Sequence, residues 1–189
     1  MKYKLTDETM TTNSGILLHR IECVESCGNV KAGDKGGWIE KEENLSQLFD
    51  CWVYGNAQVY GNARVYEDTW VSDNARVYGN ARVYGNSHVY GNSHVSDNAW
   101  VSGNASVYGD ATICNSNDYI VFKNNWSSFR YFTWTRSNDM WKVGCFYGTG
   151  KDLIEKAYKD SKLSGDCYKA YVELVEKLKD VFEKQQQKQ

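Results

Sequence analysis

The chain is 189 residues long, and 22 Lys and Arg against 24 Asp and Glu leave a formal net charge of -2. That length excludes a large multidomain enzyme, and that charge excludes a protein that coats nucleic acid through a broad positive field. The 16 Gly, 14 Tyr and 7 Trp beside no Pro depart from globular averages, so a regular pattern must bias the composition.

The first ten residues, MKYKLTDETM, hold no apolar core and no small-residue cleavage site. No run approaches the ~18 apolar residues of a membrane span, so a cytoplasmic protein with no membrane partner is expected. Residues 1–52 are expected to form an N-terminal cap and the lead into a repeat. Within them, 15–31 carry two short apolar stretches. Residues 33–46 read G-D-K-G-G-W-I-E-K-E-E-N-L-S, a glycine turn followed by a strand that would shield the first coil's open edge. His19 is expected to be structural there, and the charge run Lys41–Glu43 to be a solvated strand or turn. Cysteines at 23, 27, 51, 114, 145 and 167 show no C-x-x-C spacing, and Cys23 with Cys27 makes only a C-x3-C pair. Reduced, mostly buried thiols are expected rather than disulfides, with no metal site and no cofactor.

From Val53 an aliphatic residue returns every six positions, at Val59, Val65, Val71, Val77, Val83, Val89, Val95, Val101, Val107 and Ile113. Four residues after each comes a small one: Ala57, Ala63, Ala75, Ala81, Ser87, Ser93, Ala99, Ala105 and Ala111, with Thr69 and Ser116 as departures. The unit V-Y-G-N-A-x is the hexapeptide pattern of a left-handed parallel β-helix, in which three hexads make one triangular coil. Residues 53–118 are read as this helix. Aliphatics fill the prism and small residues fit beside its corners, where Gly-Asn or Asp-Asn pairs tolerate positive φ. Pro is absent because interior strands must donate their N–H groups. Coils stack about 4.8 Å apart, so Asn and Tyr of successive coils should form ladders.

Residues 119–189 read as a C-terminal α+β region. Segments 119–124, 128–136 and 140–147 suit short antiparallel strands, and Gly148-Thr149-Gly150 punctuates. Leu153, Ile154, Ala157 and Tyr158 mark one helix, and Tyr171, Leu174, Val175, Leu178, Val181 and Phe182 a second. The tail Lys184–Gln189 is expected to fray. The fold class is thus mainly β: a left-handed parallel β-helix of hexapeptide repeats with a small α+β appendage of short antiparallel strands and two helices.

The run G-D-K-G-G-W-I-E-K-E-E-N-L-S followed by V-Y-G-N-A-x units resembles a family of phage and prophage hexapeptide-repeat proteins, over residues 16–113. The C-terminal V-G-C-F-Y-G-T stretch with its helices resembles tails in that group. The resemblance implies a phage genomic origin, hence the host cytoplasm, and supplies no catalytic residues.

An 18-residue coil sorts the outward residues into three faces. The first carries Trp52, Tyr54, Trp70, His88, Tyr90 and Tyr108, an aromatic surface suited to a subunit contact, with a homotrimer favoured, or to packing under the C-terminal region. The second carries Arg76, Tyr78 and His94. The third carries Arg64, Tyr66, Arg82, Tyr84 and Trp100. Stacked Arg64 and Arg82 repel unless an anion or a partner's carboxylates intervene, and interleaved rings can stack a base. Residues Arg64, Tyr66, Arg82, Tyr84, Trp100, Arg76, Tyr78 and His94 are therefore the candidate ligand site. The expected function is non-catalytic binding: sequestering a small anionic or nucleotide-type host signal, or docking on a host defence protein, without extended nucleic acid. The alternatives are a hexapeptide acyl or acetyltransferase using a His base, and a structural or virion-associated scaffold.

Overall fold

The six-residue period becomes three parallel sheets in a computed structural model that describes residues 1–186. In chain order the elements open with β1 (Tyr3–Thr11), β2 (Leu17–Cys23), β3 (Lys35–Ile39) and a 3-10 turn at Glu42–Asn44. Two-residue strands follow: β4 (Trp52–Val53), β5 (Gln58–Val59), β6 (Arg64–Val65), β7 (Trp70–Val71), β8 (Arg76–Val77), β9 (Arg82–Val83), β10 (His88–Val89), β11 (His94–Val95), β12 (Trp100–Val101), β13 (Ser106–Val107) and β14 (Thr112–Ile113). The last elements are β15 (Tyr119–Lys123), β16 (Tyr131–Thr135), β17 (Met140–Val143), β18 (Phe146–Gly148), α1 (Gly150–Asp160) and α2 (Lys162–Gln186). The protein is a β-solenoid of about four turns, followed by a small antiparallel sheet and two helices. The first face is β4-β7-β10-β13, the third is β6-β9-β12, and the second is extended by the N-terminal strands as β1-β2-β3-β5-β8-β11-β14.

Each repeat slot has one physical job. Val53, Val59, Val65 and their equivalents up to Ile113 are at most 1 % exposed, each worth about 1.5–3 kcal/mol when buried. The small slots are equally buried, and where one is polar its hydroxyl finds a partner: Ser87 Oγ donates to the Tyr84 carbonyl at 2.8 Å and Ser93 Oγ to that of Tyr90 at 2.9 Å. At the corners Gly85 shows why glycine recurs, since its φ is +78° and a Cβ there would lie 2.8 Å from the Gly103 nitrogen. Glu67 departs from the expected Gly or Asp, with φ 61°. Its Oε2 accepts from the Gly85 N–H at 2.8 Å, as Asp73 Oδ2 accepts from Gly91 at 2.9 Å, so a hydrogen bond to the next coil offsets the backbone strain. The Asn ladder forms, with Asn62 donating to Asn80 at 3.1 Å and Asn80 to Asn98 at 3.2 Å.

The backbone ladder has a direction, and the two ends are closed by opposite chemistry. Outward residues donate upward, as Gln58 N–H does to the Ala75 carbonyl at 2.9 Å, so the first coil presents carbonyls below and the last presents N–H groups above. Below, the cap supplies donors. Asn44, fully buried, donates from Nδ2 to the Gly61 and Ala63 carbonyls at 3.1 and 2.9 Å, and Lys2 Nζ donates to those of Phe49 and Cys51 at 3.2 and 2.8 Å. Above, the C-terminal region supplies acceptors. Ser106 N–H donates to Thr133 Oγ1 at 2.8 Å, Thr112 N–H to Ser137 Oγ at 2.7 Å, and Cys114 N–H to Asp118 Oδ2 at 2.9 Å. The Tyr119 hydroxyl does both, accepting from Ser102 N–H at 3.2 Å and donating to the Trp100 carbonyl at 3.0 Å.

Some expectations need correction and others gain detail. Residues 3–11 form a strand, because Tyr3 is buried against the first coil while the rest of β1 pairs with β2 as an exposed outer edge. Segment 140–147 is two strands, turned at Gly144 with φ 54°. Thr149 caps α1 by a reciprocal bond with Asp152, and α2 begins well before its apolar stripe. Of the tail expected to fray, 184–186 continue α2 and 187–189 lie outside the described residues. All six cysteines are free, but only Cys23 and Cys51 are buried and Cys145 is exposed. No helix among the described residues is long and apolar enough to cross a membrane.

Removing one cap acceptor or donor strands a backbone group that no water reaches easily. Thr133→Val, which keeps shape, and Asn44→Leu are each expected to cost about 1–3 kcal/mol, read as a lower denaturant midpoint with unchanged slope.

Candidate functional site

On the third face the ladder places like side chains one above another. Arg64 pairs with Arg82 in register, and Arg82 with Trp100, whose ring lies 5.2 Å from the Arg82 Cζ. Tyr66 and Tyr84 stack with centroids 5.0 Å apart and planes within 2°. Burial, then the facing Tyr84, pushes the Tyr66 phenol pKa up.

The column stops being repetitive at its lower end, and that makes a groove. The bridge Leu45–Val65 puts Asn44 below Arg64 and Ser46 below Tyr66, so no further ring covers the lower side of Tyr66. The resulting groove is about 520 Å³, lined by Glu42, Glu43, Ser46, Gln47, Arg64, Tyr66 and Arg82. A second hollow of about 420 Å³ lies toward Lys41, Asn62 and Asn80, sharing Glu43, Arg64 and Arg82. Tyr3 fixes this ledge: its hydroxyl donates to the Leu45 carbonyl at 2.6 Å, and Gln47 Oε1 accepts from Lys2 N–H at 2.9 Å. Carboxylates of the same chain thus share the groove with the arginines, although among the described residues Arg64 and Arg82 form no ion pair. Glu42 and Glu43 escaped sequence reasoning because they precede the repeat and read as a solvated turn.

Arg76, Tyr78 and His94 lie on the second face, separate from the third-face groove. There Gln58, Arg76, His94 and Thr112 form one column, and Tyr60 stacks on Tyr78 at 5.2 Å. Burial, then the Arg76 charge, pulls the His94 pKa down.

The first face is mostly covered by the chain itself. Trp52 is 1 % exposed beneath Tyr3, edge-on at 6.2 Å, so it belongs to the core and not to a subunit contact. Tyr90 and Tyr108 lie under the C-terminal sheet, with Lys142 Nζ 5.7 and 5.1 Å from their rings and Tyr147 edge-on to Tyr108 at 4.7 Å. Burial pushes the Tyr90 phenol up to about 12. Tyr54, Trp70 and His88 stay half-buried, with His88 stacked on Trp70 at 4.9 Å. Among the described residues no group of His, Cys, Asp and Glu is placed to hold a metal.

Residues 57–73 and 75–91, two successive coil-length stretches, match a family described as "YdcK Beta solenoid repeat". The chain is also 35 % identical over 60 residues to the "Uncharacterized acetyltransferase YdcK" of Escherichia coli (strain K12). That match covers 28 % of this chain and 18 % of the relative, so the likeness spans under a fifth of the relative's length.

Burial lowers the pKa of His88, so the folded state binds its proton less readily than the unfolded state. Its stabilising contribution is complete above the unfolded value of about 6.5 and is lost as pH falls through the lower folded value. His88→Gln is expected to flatten the decline in stability between about pH 6.5 and 5, measured by thermal unfolding across that range.

Proposed function

We propose that the protein is a non-catalytic binding solenoid whose third-face groove takes a small anionic ligand carrying a planar base. The carrying observation is the in-register Arg64–Arg82 pair beside a Tyr66 ring whose lower side opens into a groove of about 520 Å³. Two arginines in register on strands about 4.8 Å apart suit the oxygens of one or two phosphates. The open side of Tyr66 suits a base, and Glu42 and Glu43 suit its amino or imino N–H donors. Tyr84 is occupied in stacking, and Trp100, 48 % exposed, offers a second ring above Arg82. Rigid strands hold these groups in place before binding, which lowers the ordering cost. With the resemblance to phage proteins, the role this supports is sequestration of a nucleotide-type host signal, or docking on a host defence protein. A trimer would close over the remaining Tyr54, Trp70 and His88 surface of the first face.

Calorimetric titration with a panel of nucleoside mono- and diphosphates and cyclic dinucleotides tests the reading. One of them should bind, and Arg64→Ala or Arg82→Ala should weaken it about tenfold or more, since a charge-assisted bond is worth about 1.5–3 kcal/mol. Unchanged affinity in both variants refutes the site.

Acyl transfer is the second reading, favoured by the relative's printed name and by two histidines kept neutral near pH 7 by burial, the form a general base needs. It requires coenzyme A binding, expected by calorimetry if the reading holds and weakened by His88→Gln or His94→Gln. A flat titration removes it.

A further inference from the structure

The lower cap contains a lysine and a cysteine whose contact the capping chemistry does not require. Lys2 is 6 % exposed and Cys51 is fully buried. Two of the three Lys2 ammonium donors serve the Phe49 and Cys51 carbonyls, which is the work of closing the first coil. The third points at the Cys51 thiol, with Nζ and Sγ 3.2 Å apart. Cys51 itself stands in the small-residue slot six positions before Ala57, a slot that Ala, Ser or Thr fills in the following coils. A thiol therefore replaces the usual small side chain at the coil position where a buried amine ends. Burial pushes the Cys51 thiol pKa up and the nearby Lys2 opposes it, so the resting sulfur is a thiol. A cavity of about 220 Å³, lined in part by Lys2, Cys27, Gln47 and Phe49, opens on the lysine's side of the pair, while Cys51 itself is fully buried behind it.

We propose that Lys2 and Cys51 form a covalent modification site, a nitrogen–oxygen–sulfur bridge made by peroxide. In the first step the Cys51 thiol sulfur is oxidised by two electrons to the sulfenic acid, and one hydrogen peroxide is reduced, leaving its second oxygen as water. In the second, the ammonium releases a proton to solvent and the amine nitrogen bonds to the sulfenic oxygen. That step removes one hydrogen from nitrogen and one from oxygen, and a second peroxide takes them up to give two waters. Altogether the amine, the thiol and two peroxides yield the N–O–S link and three waters. The link joins positions 49 residues apart, fastening the start of the chain to the base of the first coil. Ring closure is favoured because the amine nitrogen already lies 3.2 Å from the sulfur that carries the oxygen.

The test is peptide mapping by mass spectrometry of the full chain after treatment with hydrogen peroxide. The expected product joins the peptide containing Lys2 to that containing Cys51, with the gain of one oxygen and the loss of two hydrogens. Dithiothreitol returns it to the original masses. Lys2→Arg and Cys51→Ala, the second restoring the residue type common in this slot, are each expected to abolish it. The proposal is overturned if wild-type Cys51 stays unmodified, if it goes only to sulfinic or sulfonic acid with Lys2 free, or if the sole change is a two-hydrogen loss joining Cys23 to Cys27.

Discussion

A parallel ladder that does not close on itself must end somewhere, and its two ends differ in sign. Each coil here donates its outward N–H groups to the coil above, so the whole solenoid has unmet carbonyls at one end and unmet N–H groups at the other. The interior needs little explanation beyond this, because every aliphatic and small slot is satisfied by its neighbours one coil away. The ends are where the rest of the chain is committed. Donors from Lys2 and Asn44 close one end, and acceptors from Thr133, Ser137, Asp118 and Tyr119 close the other. This makes the C-terminal sheet first of all a cap, built over its own core of Phe132, Trp134, Trp141, Val143 and the inner faces of α1 and α2.

The same closure creates the candidate site. Directly below Arg64 and Tyr66 the ladder carries Asn44 and Ser46, residues chosen for the cap and too small to continue the Arg and Tyr columns. The groove is the step between a repeating surface and a capping one, and Glu42 and Glu43 stand on its lower wall for that reason. A ladder of identical side chains alone presents a flat, self-satisfied surface. Its interruption leaves one ring face, on Tyr66, and one cation, Arg64, without the lower neighbour that the repeat would have provided.

How much of this was legible in the sequence follows from how each feature is encoded. Val53 to Ile113, the three faces and the Tyr and Asn ladders were readable because each is stated many times at a fixed spacing. Two antiparallel segments and both helices were visible from their own periodicity. The caps were not, because each contact is made once, by one side chain, to a backbone group far away in sequence: Lys2 to Cys51, Asn44 to Ala63, Thr133 to Ser106. Nothing local marks Lys2 as buried or residues 3–11 as a strand. For the same reason the third-face arginines and Tyr66 were foreseen as a pair of columns, whereas the carboxylates sharing their groove were read as solvated.

The direction of the ladder also bears on which faces can carry function. The first face is consumed at both ends, by Tyr3 over Trp52 and by Lys142 and Tyr147 over Tyr90 and Tyr108. The second is extended below by β3, β2 and β1, so its columns run on without a step; Arg20 even continues the Arg76 column, lying over Trp38 at 4.9 Å. Among the described residues, only the third face both lacks a covering element and ends in a discontinuity. A binding surface needs side chains that are fixed yet incompletely partnered, and strand geometry supplies the first condition everywhere on the solenoid. The second condition is met where Arg64 and Tyr66 look down on Asn44 and Ser46, which is why the third face is the candidate binding surface.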